Sequence, residues 1–194
     1  MIGPLAVAAL GLLLERPMHP YEMVQLLLAR SEDRLVKVRP GSLYHVVDRL
    51  HAEGLVRPVG TERAGNRPER TTYAITREGV EAMGEWVRQA LGAPAPEYPR
   101  FPLALGEAHN LPREDVVRRL RRRLVALRGR DAELAAGEEI VGAKPLPERF
   151  WLDLPYTRAL LAAEIHHLTT LADRIESGDL PWPDPPAPEP PGVP

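Results

Sequence analysis

Apolar residues recur at steps of three and four along most of the chain, which is the spacing of amphipathic helices. In the first half, this pattern predicts four helices that start near Pro4, Pro20, Pro40 and Arg77. Thr76 is a natural N-cap for the fourth of them. The first helix ends where Pro17 interrupts the pattern, because the residue before a proline disfavours helical geometry. Pro20 suits the first turn of the second helix, where a missing N–H costs nothing.

The third predicted helix has two faces of opposite character. Its apolar face is formed by Leu43, Val46, Val47 and Leu50. The residues left on the outer face are polar or charged: Arg39, Ser42, His45 and Arg49. Gly54 follows at the position where glycine commonly ends a helix. The spacing therefore predicts a short helix with a polar stripe along one side.

A hairpin is predicted directly after this helix. Leu55–Gly60 and Arg70–Ile75 are the candidate strands, and the second of them alternates and is rich in Thr and Tyr. Residues 64–68 form the turn, and Pro58 suits an edge strand. A polar-faced helix followed by a charged hairpin is typical of a winged helix-turn-helix, which lays the helix in a DNA major groove.

The second half is predicted to be helical, with apolar residues on a near-heptad spacing. This spacing is typical of an antiparallel helix pair or of a coiled coil. We assign dimerisation to seven of these residues: Leu120, Leu124, Leu127, Leu161, Ile165, Leu168 and Ile175. The fold class expected is mainly α with a small two-stranded β-wing.

Breaks in the pattern predict three segments. Gly92–Pro96 separates a DNA-binding domain at residues 1–92 from a helical domain at residues 97–177. Residues 178–194 are rich in proline and contain no basic residue, so we expect a disordered or polyproline tail without a role in the fold.

The distribution of charge is more informative than its total. The net charge is −2, which does not by itself indicate a nucleic-acid binder. Between Arg34 and Arg77, however, there are nine basic and four acidic residues, which gives a local charge of +5. A DNA phosphate is attracted by this local excess of positive charge and not by the net charge of the chain, because electrostatic attraction is screened within roughly 8–10 Å.

Other function classes find little support. The chain has no cysteine, which fits a reducing cytoplasm and excludes thiolate metal sites and a cysteine nucleophile. It shows no glycine-rich phosphate loop, no nucleophile elbow and no zinc-protease motif, so no enzyme, cofactor or metal is expected. The apolar run at residues 4–14 is too short to span a bilayer, which takes about 20 residues.

Two further patterns leave alternatives open. The basic run at residues 118–123 could bind nucleic acid or an acidic ligand, but a solvated face with local ion pairs is the favoured interpretation. Asp131 and Glu138 lie on the apolar seam and could contact a ligand, although setting the helix register is the favoured role. His166 and His167 are adjacent and point about 100° apart on a helix, so they do not indicate a metal site.

The first 92 residues resemble the PadR family of bacterial transcriptional regulators. The motifs that carry the resemblance, in chain order, are Ala9-Leu-Gly-Leu-Leu13, His19-Pro-Tyr-Glu22, Pro40-Gly-Ser-Leu-Tyr44, Arg49-Leu50, Glu53-Gly-Leu55, Tyr73-Ala-Ile-Thr76 and Glu78-Gly79. Family members often have Gly in place of Pro20 and Pro in place of His45. The base preference is therefore expected to depend on His45.

The resemblance implies a homodimeric repressor that binds a pseudo-palindromic operator in double-stranded DNA and is relieved by a small-molecule effector. A winged helix that contacts proteins instead of DNA is the rival hypothesis. The candidate DNA-binding residues are Tyr21, Lys37, Arg39, Ser42, Tyr44, His45, Arg49, Arg63, Arg67 and Arg70. Tyr44 could contact phosphate or pack with Tyr21. The aromatic residues able to line an effector pocket are Trp86, Phe101 and Trp151, although core packing is the favoured role for each.

Overall fold

Three of the helices in the first half begin at a proline, which fixes φ at a helical value and needs no hydrogen-bond acceptor. We describe a computed structural model of the chain, covering residues 2–62 and 70–183. Contacts divide the chain into two units, residues 1–97 and residues 98–194. The described residues are mainly α-helical with one two-stranded antiparallel sheet, which confirms the predicted fold class.

The first unit contains four helices and the sheet. In chain order these are α1 (Pro4–Glu15), α2 (Pro20–Ala29), α3 (Pro40–Ala52), β1 (Val56–Glu62), β2 (Arg70–Ile75) and α4 (Arg77–Gly92). A short 3₁₀ turn, Glu32–Arg34, lies between α2 and α3. The strands pair antiparallel from Val56 opposite Ile75 to Glu62 opposite Arg70, with an irregularity between Pro58 and Gly60. Pro58 thus lies next to the bulge, a position that proline tolerates within a sheet.

One apolar core holds the first unit together. Helices α1, α2 and α3 each contribute fully buried side chains, of which Leu10, Leu27, Leu43 and Leu50 are among the largest. Burying a leucine completely stabilises the fold by about 1.5–3 kcal/mol. Trp86 on α4 packs against the same core. The core therefore fixes the inner side of α3 and leaves the outer side exposed.

The end of α3, the base of the sheet and the start of α4 meet at a tight backbone contact. Gly54 has φ +74°, and the Leu55 N–H donates to the Leu50 carbonyl at 2.8 Å, which is the Schellman ending. The Leu55 carbonyl in turn accepts the Thr76 N–H at 3.0 Å. The Thr76 hydroxyl accepts the Gly79 N–H at 3.1 Å, and so caps α4 as the sequence predicts.

The second unit is an antiparallel pair of long helices with a short helix beside it. Its elements are α5 (Arg100–Gly106), α6 (Arg113–Gly142) and α7 (Asp153–Ser177). The short 3₁₀ turns Ala108–Asn110 and Glu148–Phe150 lie between them. No helix in the described part of the chain is both long and apolar enough to cross a membrane.

The seven residues predicted to form a dimer interface pack within the core of the second unit. Leu124, Leu168 and Ile175 are almost fully buried between α6 and α7, and the other four belong to or pack against the same core. The heptad spacing therefore corresponds to an intramolecular helix pair. Their assignment to a dimer interface stays a prediction.

The segment expected to be a free tail contributes to the fold at its start. Leu180 and Trp182 pack against the core of the second unit. The Trp182 Nε1–H donates to the Leu111 carbonyl at 3.0 Å, and the Leu180 N–H donates to the Arg174 carbonyl at 2.9 Å. The prediction was wrong for these residues, because the Leu180 and Trp182 side chains pack against apolar residues although prolines surround them. Residues 184–194 lie outside the described part.

We predict that Gly79→Ala destabilises the first unit while Gly84→Ala on the same helix does not. A Cβ at residue 79 would lie 2.2 Å from the Leu55 carbonyl oxygen and 2.8 Å from Ile75 Cγ1, whereas one at residue 84 meets only the flexible Arg88 guanidinium at 3.4 Å. Overpacking of this kind costs about 1–3 kcal/mol, and an unhindered Gly→Ala change in a helix stabilises by about 0.5–1 kcal/mol. Urea unfolding of the two variants measures the difference. Equal stabilities would contradict the close contact.

Candidate nucleic-acid interface

Helix α3 presents the predicted polar stripe to solvent. Leu43, Val47 and Leu50 are fully buried on its inner side. The four residues of the outer stripe are exposed: Arg39, Ser42, His45 and Arg49. Steps of three and four residues place them on one side of the helix. The structure therefore brings these four candidate residues together on one accessible surface.

The start of α3 favours an anion. Arg39 is the N-cap residue with extended backbone, and its side chain makes no capping hydrogen bond. Lys37, two residues earlier, is also exposed. The amino end of a helix carries a partial positive charge, and anions bind there. Two cations beside such an end can hold a phosphate, although the helix end alone does not define a site.

Arg49 keeps most of its guanidinium available. Its Nε lies 3.8 Å from Glu53 Oε1, at the limit of an ion pair, and the two side chains are 53% and 48% exposed. Exposed pairs one turn apart on a helix contribute about 0.3–0.5 kcal/mol. A phosphate or a guanine edge can therefore replace Glu53 as the partner of Arg49 at little cost.

The sheet that follows α3 is tied to the loop between α1 and α2. Met18, in that loop, exchanges two backbone hydrogen bonds with Tyr73 on β2, each 3.1 Å long. The Tyr73 ring also meets His51 of α3 edge-on, with centroids 5.9 Å apart. These contacts fix the base of the predicted wing against the helices.

The candidate residues of the wing are only partly described. Arg70 is the first residue of β2, but its side chain lies outside the described part. Arg63 and Arg67, together with the predicted turn at residues 64–68, also lie outside it. Their assignment as phosphate contacts stays a prediction.

Tyr21 and Tyr44 are both accessible. Tyr21, on the first turn of α2, is 53% exposed and Tyr44, on α3, is 39% exposed. The Tyr44 ring meets the His19 ring edge-on, with centroids 5.9 Å apart. Tyr44 thus combines a packed ring edge with an accessible side. His19 is not among the site residues predicted from the sequence, although its place directly before Pro20 marks the start of α2.

The basic run on α6 is largely neutralised by ion pairs. Arg118 and Arg119 both pair with Asp115, and the hydrogen bond from Arg119 is the main reason that the Asp115 pKa is lowered. Arg121 pairs with Asp173 and Glu176, whose hydrogen bonds raise the Arg121 pKa. These contacts favour the solvated, ion-paired interpretation over a second nucleic-acid surface.

Two further arginines also have partners between the helices. Arg123 pairs with Glu164 at 2.6 Å and lies 3.6 Å from the centre of the Phe101 ring. Arg158 of α7 pairs with both Asp131 and Glu138 of α6. The two acids on the seam therefore fix the register of α6 and α7, as we had favoured.

The three candidate pocket aromatics pack into two different cores. Trp86 packs against the core of the first unit, and Phe101 and Trp151 pack against that of the second. The Trp151 Nε1 is buried without a hydrogen-bond partner. Among the described residues, no cluster of potential metal ligands is found. Each of the three aromatics therefore contributes to the packing of its own unit, and their role in an effector pocket stays a prediction.

Part of the first unit is similar to a known protein family. Residues 9–85 match the family described as the Transcriptional regulator PadR-like family. No curated protein matches the chain in sequence. The similarity therefore rests on this family match and on solved structures.

Three solved structures illustrate the likeness in fold. Bacillus subtilis PadR in complex with operator DNA is 18% identical, with a TM-score of 0.74 over 88% of this chain and 98% of that chain. The same Bacillus subtilis protein in complex with p-coumaric acid is 16% identical, with a TM-score of 0.72 over 89% and 98%. The Vibrio cholerae virulence activator AphA is 19% identical, with a TM-score of 0.67 over 89% and 98%. At these identities, the likeness shows the fold.

We predict that Tyr73→Phe reduces the loss of stability at alkaline pH. Burial, and secondly the charge of Asp48, raise the pKa of the Tyr73 phenol. The unfolded phenol ionises near its ordinary pKa of about 10, so the folded state loses stability as the pH rises above that value. Phenylalanine cannot ionise and escapes this loss. Thermal unfolding between pH 9 and pH 11 measures it.

The matched control is Tyr98→Phe, which makes the same chemical change on a ring that is 92% exposed. The control should follow the unmodified protein across this pH range. If Tyr73→Phe also followed it, burial of the Tyr73 phenol would not contribute to the alkaline profile.

Proposed function

We propose that this chain is a sequence-specific DNA-binding regulator, since residues 9–85 match the Transcriptional regulator PadR-like family. Helix α3 enters the major groove, and the wing formed by β1 and β2 rests on the phosphate backbone. The observation that carries the proposal is the outer stripe of α3. Its polar and basic side chains are exposed, while the opposite side of the same helix is held by the core.

Each member of the stripe has a chemical role in this proposal. Arg49 donates to a guanine edge or to a phosphate, since its guanidinium is only weakly engaged by Glu53. Ser42 and His45 reach base edges near the start of the helix. Lys37 and Arg39 bind the phosphate backbone of the DNA beside the positive end of α3. Tyr21 and Tyr44 contact the DNA phosphates through their hydroxyls.

The rival function is a winged helix that binds proteins. An interface between proteins is usually depleted in charge at its centre and enriched in aromatic residues. The outer stripe of α3 instead carries two arginines, a serine and a histidine. This composition favours an anionic polymer as the partner.

The regulator is proposed to act as a homodimer in the cytoplasm, where chromosomal DNA lies. Two recognition helices then address half-sites about one DNA turn apart, roughly 34 Å, on a pseudo-palindromic operator. Support comes from large apolar side chains that the second unit leaves exposed, among them Val125 and Ile140 on α6 and Tyr156 and Leu160 on α7. Tyr156 and Leu160 are one turn apart on the same side of α7, so they can pack together against a second copy.

We further propose that the regulator is a repressor whose DNA binding is relieved by a small-molecule effector. The support is a similarity in fold to the Bacillus subtilis protein, which has been solved both with operator DNA and with p-coumaric acid. A repressor must lose affinity for its operator when the effector binds, so the effector must bind the DNA-free form more tightly.

The function is tested by selecting bound sequences from a library of random DNA duplexes. Recovery of a pseudo-palindromic sequence, with affinity that falls steeply as salt rises, is the expected result. We predict that Arg49→Ala weakens binding to the selected duplex by about 1–3 kcal/mol, which corresponds to roughly 5- to 150-fold. Fluorescence anisotropy at fixed salt measures the change.

The matched control for this variant is Arg122→Ala, which removes an exposed arginine from the basic run on α6. It should bind the selected duplex as the unmodified chain does. Failure to select any duplex, or a larger loss from Arg122→Ala than from Arg49→Ala, would contradict the assignment of α3 as the recognition helix.

For the dimer, we predict that Leu160→Glu converts the protein to a monomer. Leu160 is 56% exposed in the single chain, so a charge there leaves the fold intact but has to be desolvated in an apolar dimer interface. Sedimentation velocity measures the outcome. The control is Ala162→Glu, an exposed position about 200° further around α7. A Leu160→Glu variant that stays dimeric would exclude this face from the interface.

A further inference from the structure

His19 occupies the N-cap of α2, a position more often taken by Ser, Thr, Asp or Asn. Its backbone is extended, and its Nδ1 accepts the backbone N–H of Tyr21 at 3.0 Å. Pro20 at the first helical position has no N–H. Tyr21 therefore provides the first donor that the start of the helix leaves without a backbone acceptor. The His19 imidazole satisfies it.

The same imidazole contacts the recognition helix. Its ring meets the Tyr44 ring of α3 at a centroid distance of 5.9 Å and an interplanar angle of 72°. Edge-to-face aromatic pairs of this kind are stabilising beyond the area that they bury. Serine or aspartate at residue 19 would cap α2 equally well, but neither has a ring to place against Tyr44. Histidine combines the two contacts.

The residue before His19 adds a link to the wing. Met18 is buried and exchanges two backbone hydrogen bonds with Tyr73 on β2. Two consecutive residues thus connect the start of α2, the outer part of α3 and the base of the wing. The position of the three DNA-facing elements relative to one another depends on this short loop.

We propose that His19 is a positioning residue of the DNA-binding surface, whose uncharged imidazole joins α2 to the recognition helix and whose protonation breaks that join. The inference rests on the DNA-binding function proposed above. Nδ1 accepts a hydrogen bond only through its lone pair, which a proton removes. The positive end of α2 also disfavours a charged ring. Duplex affinity should therefore fall as the pH drops through about 6.5, where an imidazole ordinarily takes up a proton.

The charged and titratable groups around His19 come from three elements. Tyr44 faces it from α3, Glu22 and Tyr21 belong to α2, and Arg16 belongs to the preceding loop. Glu22 pairs with Arg16, and that hydrogen bond is the main reason that the Glu22 pKa is lowered, with a smaller effect of the His19 charge. Glu22 therefore attracts the protonated imidazole and offers it a partner other than the Tyr21 N–H. In this proposal the loop therefore takes a second arrangement when His19 is protonated.

The decisive variant is His19→Asn in the full chain. Asparagine keeps an oxygen acceptor for the Tyr21 N–H but does not titrate. Between pH 7.5 and pH 5.5, the unmodified protein should lose about 4–8 °C in melting temperature relative to His19→Asn, the shift expected from one helix cap. Its affinity for the duplex selected above should fall roughly fivefold relative to the variant over the same range. The tautomer gives an independent readout: imidazole ¹⁵N spectra at pH 7.5 should show His19 protonated at Nε2.

Two further variants complete the design. His19→Phe keeps an aromatic ring and removes the acceptor, so its melting temperature should be lowered at both pH values. His166→Asn removes an exposed histidine from α7 and should follow the unmodified protein throughout.

The outcomes separate the inference from the proposed function. If His19→Asn and the unmodified chain had the same pH profile of melting temperature, the inference would be overturned. A difference in melting temperature without one in duplex affinity would overturn the positioning role. If no variant bound duplex DNA while the difference in melting temperature persisted, the proposed function would be wrong, and the pH-sensitive His19 cap of α2 would still be supported.

Discussion

The approach of the α4 backbone to the Leu55 carbonyl constrains the whole first unit. A single carbonyl oxygen, at the point where α3 has ended and β1 begins, accepts the Thr76 N–H and leaves room only for hydrogen at Gly79. The end of α3, the base of the hairpin and the start of α4 are therefore set by one contact. Side-chain packing then determines which face of α3 remains outside, because Leu43, Val47 and Leu50 can be buried only if the polar stripe is not.

Local patterns predicted the parts of this arrangement that depend on neighbours in sequence. The apolar spacing of α3, the glycine at its end and the threonine that caps α4 are short-range signals, and the structure bears them out. The seam between α6 and α7 shows the limit of such signals. Leu124 and Leu168 have the same spacing whether their partner helix lies in the same chain or in a second copy. Only the three-dimensional arrangement separates the two cases.

Arginine content was similarly ambiguous. Arg49 and Arg121 both lie in stretches rich in basic residues, and composition cannot distinguish them. In the structure, Arg121 pairs with two carboxylates that lie 52 and 55 residues further along the chain. Arg49 instead lies 3.8 Å from the carboxylate of Glu53, four residues along the chain. The carboxylates that neutralise α6 come from α7, so no local window of sequence contains them. His19 was missed for the same reason, since its ring partner lies 25 residues away on another helix.

The two backbone hydrogen bonds between Met18 and Tyr73 have an evolutionary consequence. They anchor the wing by main-chain atoms at its base, and neither bond depends on which side chains stand there. The outer part of the hairpin can therefore accept insertions, deletions and new side chains while α3 keeps its place. In the proposed regulator, the surface of α3 and that of the hairpin are therefore free to change at different rates, and paralogues descended from one ancestor can diverge in operator choice through either element alone.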